Sequence, residues 1–375
     1  QAFRTLCHAI LSHEPPAGEK FIDAPPVDPA AIDPGYRLYT EEDLSRKLIY
    51  VEASRGCPYG CEFCLSSIKP DSGPAVRYFP PEPFLAEMDR LIQRGVRTFK
   101  FLDRTFNLDT LRARRIMEFF LERLSPSQCV HFEMVPSRFP PELVETLARF
   151  PPGTLRLEIG FQTFNPRTSR LINRPGSPAE ELETLETLRR ETSAIIHAGL
   201  IAGLPGEDLA SFGAGFDRLW RALTPSDLSP ATRAGAPVTA AEIQPGILKL
   251  LPGAPIARHT DTCGMVYAPE PPYEVRETAA LPAADLDRIK NFARFWELIV
   301  NRGAFPALGP ALFPAGEPVF RRFMELSGRL FSRFGRNWGI DRADLRKSLE
   351  EEARSEDYGG RGRPAGHAKR VNGNR

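Results

Sequence analysis

A parallel α/β architecture, either a barrel or a doubly wound sheet, is what this 375-residue sequence predicts. Two observations carry the prediction. Six strand-like apolar segments alternate with amphipathic helical segments over about 200 residues, the signature of right-handed βαβ units. Hydrophobic residues make up 42% of the chain and charged residues 26%, an ordinary globular balance in a chain long enough to bury a sizeable core. In either architecture, active residues gather at the C-terminal ends of the strands and in the loops that follow.

The elements follow in order. Residues 1–47 read as a Pro-rich linker or the remnant of an upstream domain, because Pro15, Pro16, Pro25, Pro26, Pro29 and Pro34 interrupt any long helix or central strand. Residues 48–54 form the first expected strand. A helix over 83–94 places Phe84, Leu85, Met88, Leu91 and Ile92 on one face, with Gly95 as its stop. The second strand is 96–103, and a helix over 109–124 turns Ile116, Phe119, Phe120 and Leu124 inward. Residues 129–135 alternate, with Val130, Phe132 and Met134 on one side. A short helix over 141–150 precedes a strand over 154–160, which alternates through Leu155, Leu157 and Ile159. A helix over 178–191 uses Leu182, Leu185 and Leu188. An apolar run over 194–202 suits a buried strand, and a helix over 208–223 uses Leu209, Phe212, Phe216 and Leu219. A Pro/Gly/Ala-rich loop over 224–239 leads to the sixth strand, 241–250.

Residues 256–353 are expected to be irregular to about residue 280 and then mostly helical, with helices over 285–301, 318–334 and 341–352. The aromatic stripes of the first two read as core packing. Residues 354–375 read as a disordered basic tail.

Composition narrows the function. Lys plus Arg number 49 and Asp plus Glu 48, so the formal net charge is +1, which argues against electrostatic grip on nucleic acid or an acidic membrane. No apolar stretch approaches the ~20 residues of a membrane span, and the first residues lack a secretory pattern. Six cysteines are too few for a disulfide scaffold of this length. A cytoplasmic protein is the expectation.

Half of those cysteines form one motif. Cys57, Cys61 and Cys64 fit C-x3-C-x2-C directly after the first strand, with Gly56 and Gly60 able to turn the backbone around a bulky group. Thiolates suit Zn, Cu(I) or iron–sulfur clusters. A four-iron cube usually takes four cysteines, so three would leave one iron open to another ligand. A zinc knot completed by Cys7, Cys129, Cys263 or a histidine is the alternative, and with it a metal-stabilised binding module.

The triplet, with Phe63 before its last cysteine, resembles the signature of the radical S-adenosylmethionine (SAM) superfamily. The resemblance implies a partial (β/α)6 barrel of the TIM type over residues 48–255, followed by a smaller helical C-terminal region. It implies a [4Fe–4S] cluster on Cys57, Cys61 and Cys64 whose open iron chelates SAM. Reduction would cleave SAM to a 5′-deoxyadenosyl radical that abstracts hydrogen from a substrate, with flavodoxin or ferredoxin as electron donor. It also implies SAM contacts: Phe63 in the loop, Asp103 at the end of the second strand, Glu158 on the fourth, Arg174 beyond it, and Gly203 and Pro205 in the segment GLPGE. Glu133, Arg138, Gln162, Gln244 and Lys249 stand near other strand ends.

Segments around residues 50–67, 103–107, 131–135 and 264–273 look most similar to radical SAM proteins that carry a cobalamin-binding domain upstream, many of which methylate unactivated carbon. This chain starts with Gln and contains no D-x-H-x-x-G motif, so cobalamin enters the expectation only with additional N-terminal sequence. Oxidation, rearrangement or sulfur insertion by the same radical is the reading that needs no cobalamin. Methylthiotransferases share the GLPGE-like motif.

Overall fold

Six parallel strands organise the computed structural model, which describes residues 2–13, 27–68, 73–224, 241–305, 308, 312–313 and 318–359. In chain order the strands are β1 (Ile49–Val51), β2 (Ser54–Gly56), β3 (Val76–Tyr78), β4 (Thr98–Phe101), β5 (Cys129–Met134), β6 (Leu155–Gln162), β7 (Ile195–Ala202) and β8 (Ala241–Ile247), then β9 (Val266–Tyr267) and β10 (Val275–Glu277). The main sheet runs β1-β4-β5-β6-β7-β8, parallel at every pairing. Strands follow one another in space as in sequence, as right-handed crossovers require of a barrel-type sheet. β1 and β8 stand at the two ends of that order, so the sheet is a partial barrel.

The crossovers are α3 (Pro81–Gln93), α4 (Thr110–Leu121), α5 (Pro141–Ala148), α7 (Pro178–Glu191) and α8 (Leu209–Leu223). Their starts are chemically marked. Asp109 and Asp208 accept backbone N–H groups from Arg112 and Ser211, while Pro141 and Pro178 occupy first helical positions, where no N–H is missed. The alternation read from β5 and β6 decides which face is packed. Val130, Phe132, Met134, Leu155, Leu157 and Ile159 are buried beneath the helices. Phe101, Phe120 and Phe132 interlock there, and a fully buried Phe stabilises by about 1.5–3 kcal/mol.

Several segments differ from the sequence expectation. Residues 27–47 are packed rather than strung out. Two 3₁₀ turns and α2 (Glu41–Arg46) bury Tyr36 and Leu44, and the Tyr36 hydroxyl accepts the N–H of Glu52. A Thr40/Asp43 capping box starts α2. The expected first strand breaks in two, because β2 leaves the sheet and pairs antiparallel with β3. α6 (Pro166–Leu171) was not expected, nor was the antiparallel β9–β10 ribbon in the stretch read as irregular. α1 (Ala2–Leu11) is a helix within the stretch read as a linker or domain remnant.

In the C-terminal region, α9 (Ala283–Trp296) ends in a π-helical turn, Glu297–Asn301, and is followed by α10 (Val319–Phe334) and α11 (Arg342–Gly359). α11 outlasts its expected end by about two turns. Phe216 of α8, Phe292 and Trp296 of α9, and Phe320 and Phe323 of α10 form one aromatic cluster. This region therefore shares a continuous core with the barrel. The loop read at 224–239 lies outside the described residues from 225 on, as does the basic tail from 360. Among the described residues, no helix is long and apolar enough to cross a membrane.

Candidate functional site

The cysteine loop leaves β2 at Gly56, whose φ of +98° admits few other residues and whose missing Cβ would run into the Ala75 carbonyl. Gly60 is confined in a different way. A Cβ there would lie 2.6 Å from the Asn173 amide nitrogen, which donates to the Gly60 carbonyl at 3.1 Å. The loop is thus held against the turn after α6.

Cys57, Cys61, Phe63 and Cys64 line one side of a cavity of about 460 Å³, within the range typical of small-molecule sites. The opposite wall comes from the C-terminal ends of β5 to β8, where catalytic groups collect in parallel barrels. Burial raises the Cys57 thiol and pushes Cys61 up to about 11, while the Arg104 and Arg174 guanidiniums oppose these shifts. Among the described residues, no three His, Cys, Asp or Glu side chains converge on the position of a single metal ion. Three thiols of one loop on one cavity wall are soft donors that suit an iron–sulfur cluster, whose cysteines bind different irons.

The strand walls explain Glu158. On β6 its carboxylate faces the cavity, with its side chain 42% exposed, and pairs with the Lys100 ammonium of β4 and, at 3.3 Å, with His131 Nε2 of β5. The hydrogen bond from His131 and the contact with Lys100 hold it down at about 2, an ionised group at any physiological pH. His131 Nε2 lies between the Lys100 ammonium (3.1 Å) and this carboxylate, so it serves one of them at a time. Burial lowers the His131 pKa. Lys100 also stands 3.5 Å from Glu133, which pairs with Arg104 at 3.0 Å. A charged layer thus crosses the barrel lumen beside the cavity. The helical and strand patterns gave no sign of Lys100, because a lysine in an otherwise apolar strand becomes visible as a lumen residue only once the sheet curls.

Arg174 also lines the cavity, yet its charge is already matched. Nη2 lies 2.9 Å from Glu181 Oε1 and donates to the Gly160 carbonyl at 3.0 Å, with both Arg174 and Glu181 buried. Gly176, whose Cβ would collide with Glu181, leaves room for the pair.

Three expected SAM contacts are placed elsewhere. Asp103 is buried away from the cavity, where its carboxylate accepts from the Ala53 N–H at 2.9 Å and the Ser54 hydroxyl at 2.5 Å. Burial pushes it up to about 6 against those two bonds. It ties β4 to the β1–β2 junction, so it positions the strand that enters the cysteine loop. Gly203, at φ +85°, packs on the C-terminal region, since a Cβ would strike Val275. The Pro205 carbonyl accepts from the buried Thr168 hydroxyl at 3.3 Å. The GLPGE segment turns the chain from β7 into α8 and is absent from the cavity wall.

The glycines that do line the cavity are Gly160, Gly199 and Gly246, on three adjacent strands. Just beyond Gly160 the β6 register shifts, and Gln162 reaches the cavity at φ +63°, an uncommon conformation for a residue with a side chain. Gln244 stands beside Gly199 in register, lines the cavity, and contacts His197 Nδ1 at 3.0 Å. Lys249 only bridges to Glu274, and Arg138 donates to the Tyr59 hydroxyl at 3.2 Å.

Glu207, the acid of the GLPGE segment, is buried with one oxygen bonded to the Thr163 hydroxyl at 2.6 Å and the other without a partner. Burial pushes it up to about 7. A carboxyl whose pKa is raised on folding costs stability as pH climbs from its unfolded value of 4.5 to about 7. Glu207→Gln is therefore expected to have a melting temperature that gains on the wild type as pH rises from 5 to 8. A difference that does not vary with pH would show that Glu207 folds ionised.

A glycine-turned loop bearing three thiols stands at the C-terminal mouth of a six-stranded parallel partial barrel, which defines the class: an α/β-barrel protein with a candidate thiolate metal site. Residues 51–218 match the Radical SAM superfamily, a family that uses a [4Fe–4S] cluster and SAM. A ribosomal protein uS12 methylthiotransferase RimO from Moorella thermoacetica is 30% identical over 204 residues, covering 52% of this chain and 45% of that protein. Its counterpart from Stenotrophomonas maltophilia is 27% identical over 230 residues, 56% of this chain and 47% of that one. The chain thus spans about half the length of these curated relatives. Among solved structures, the cobalamin-dependent S-adenosylmethionine radical enzyme OxsB with aqua-cobalamin superposes with a TM-score of 0.55 at 15% identity, over 95% of this chain and 59% of that chain. That likeness establishes the fold, including its C-terminal part.

Proposed function

We propose that this chain is the catalytic core of a radical SAM enzyme that abstracts hydrogen from an organic substrate. The observation that carries the reading is the position of Cys57, Cys61 and Cys64 on one wall of a cavity whose other wall is formed by parallel strand ends. The three thiolates would hold three irons of a four-iron cube and leave the fourth for the amino and carboxylate groups of SAM. When bound and reduced, the cluster supplies the electron that cleaves SAM to methionine and a 5′-deoxyadenosyl radical. The chain's own residues bind and orient. Gly199 and Gly246 admit a flat, bulky group close to the backbone, and the ionised Glu158 offers an acceptor for hydroxyl or ammonium groups. Phe63 and Arg174 border the same space. An electron donor such as flavodoxin or ferredoxin is the partner this chemistry needs.

Methyl transfer with cobalamin is the finer reading, supported by the motifs similar to cobalamin-domain proteins and by the OxsB-like fold over nearly the whole chain. Sulfur insertion is the competing reading, supported by the methylthiotransferase relatives.

The test is anoxic reconstitution with iron, sulfide, SAM and dithionite, with and without hydroxocobalamin. Brown protein with about four iron and four sulfide per chain that makes 5′-deoxyadenosine is expected. Colourless protein holding one zinc, or a loaded cluster that makes none, would overturn the proposal. S-adenosylhomocysteine formed only with cobalamin would select methyl transfer.

A further inference from the structure

The first of the two residues between the second and third cysteines is held more tightly than the cysteines themselves. Glu62 is buried, although glutamate is among the residues least often found inside a protein. Its backbone N–H donates to the Ile172 carbonyl at 3.0 Å, just past α6, and its carbonyl accepts the N–H of Ile256 at 3.0 Å. The carboxylate meets a guanidinium fork, with Arg258 Nη2 at 2.5 Å from one oxygen and Nε at 2.9 Å from the other. His259 Nε2 lies 2.9 Å from the second oxygen and 3.0 Å from the Leu171 carbonyl. Both are acceptors, so this nitrogen carries a proton whatever the charge of the ring.

Ile256, Arg258 and His259 all belong to one 3₁₀ segment, Pro255–His259, at the start of the C-terminal region. Residues nearly 200 positions away thus grip the cysteine loop through its backbone and its buried carboxylate. An exposed ion pair contributes little, and Arg258 is 63% exposed, but Glu62 and His259 are not. Leaving a buried carboxylate without donors is costly, so the loop is pinned wherever the segment Pro255–His259 sits.

We propose that Glu62 is a positioning residue which, clamped by Arg258 and His259, holds Cys61 and Cys64 at cluster-binding spacing and makes cluster retention depend on the C-terminal region. The proposal rests on the cluster reading above. Pinning both flanks of the loop before metal arrives lowers the ordering entropy that cluster assembly must overcome. It also slows the loop opening through which iron escapes.

Two measurements on the full chain test this for Glu62→Gln. In iron-free protein, amide exchange over 57–68 is expected to speed up at least tenfold, while peptides from β5 to β7 keep wild-type protection. In anoxically reconstituted protein, transfer of iron to ferrozine is expected to be at least tenfold faster than in wild type. Arg258→Ala, which removes the guanidinium fork from outside the cysteine loop, should speed both in the same direction. Wild-type rates in Glu62→Gln, or loss of protection in β5 to β7 in parallel with the loop, would overturn the clamp as a positioning device. If wild type takes up no iron, the cluster reading fails and its positioning role with it, while exchange still reports whether the clamp holds the loop.

Discussion

Cys61→Ala is expected to give a folded protein that assembles no four-iron cluster and yields no 5′-deoxyadenosine above background. With three thiolates a cube can be held at three corners. With two, a second iron loses its protein ligand and the cluster is no longer retained. The fold should survive, because the cysteines are only half-buried and none of the three belongs to the packed core beneath the helices. The loop's own anchors, at Gly60, Glu62 and Asn173, do not involve the Cys61 sulfur. Iron and sulfide analysis, the visible absorption band and a thermal melt check the three parts. Normal 5′-deoxyadenosine production by this variant under dithionite would refute the assignment.

Gly199→Leu should be nearly as damaging to SAM cleavage, by a different route. Gly199 does not have a positive φ, so its backbone accepts any residue. A Cβ at this position would meet only Gly160 Cα at 3.9 Å and the Ile159 carbonyl at 4.0 Å, which are ordinary contacts. Glycine is therefore needed here for neither conformation nor packing, and what it leaves open is the cavity. A leucine would point its remaining carbons into that space. SAM binding and 5′-deoxyadenosine formation should fall by about a hundredfold, roughly 2.7 kcal/mol of lost binding or barrier, with an unchanged cluster spectrum and a melting temperature within a few degrees of wild type. Gly203→Leu makes the contrast. There the positive φ and the collision with Val275 predict a folding defect, expressed as a lower melting temperature. If Gly199→Leu binds SAM like wild type, SAM does not occupy the space beside Gly199.

The two variants mark where motif reading and geometry part. GLPGE drew attention to Gly203 because its distance after the cysteines is suggestive, yet that glycine serves a turn. Gly199, four residues earlier in an apolar run, has no local mark. Its role follows from standing in register beside Gly160 on one side and Gln244 on the other. Asp103 misled in the same way. A carboxylate at a strand end looks available for a ligand until the Ala53 and Ser54 donors are seen to occupy it. Glu62 and His259 carry no local mark either, because their partnership spans 197 positions. Periodicity, caps and spacing act over a few residues and carry no information at that range.

What the chain determined locally is the class of fold and the metal-binding trio. Six strands and their crossovers announce themselves because a strand must turn an apolar face to the helices that cover it and each helix must bury one stripe. Three thiols within eight residues mark a candidate metal site without help from the rest of the chain. Only the folded molecule decided which strand residues face the lumen, that Lys100 and His131 hold Glu158 ionised, that Arg174 is matched by Glu181, and that the C-terminal region grips the cysteine loop. Those choices depend on the curl of the sheet and on which distant side chains arrive to satisfy a buried charge, and both are settled by tertiary packing.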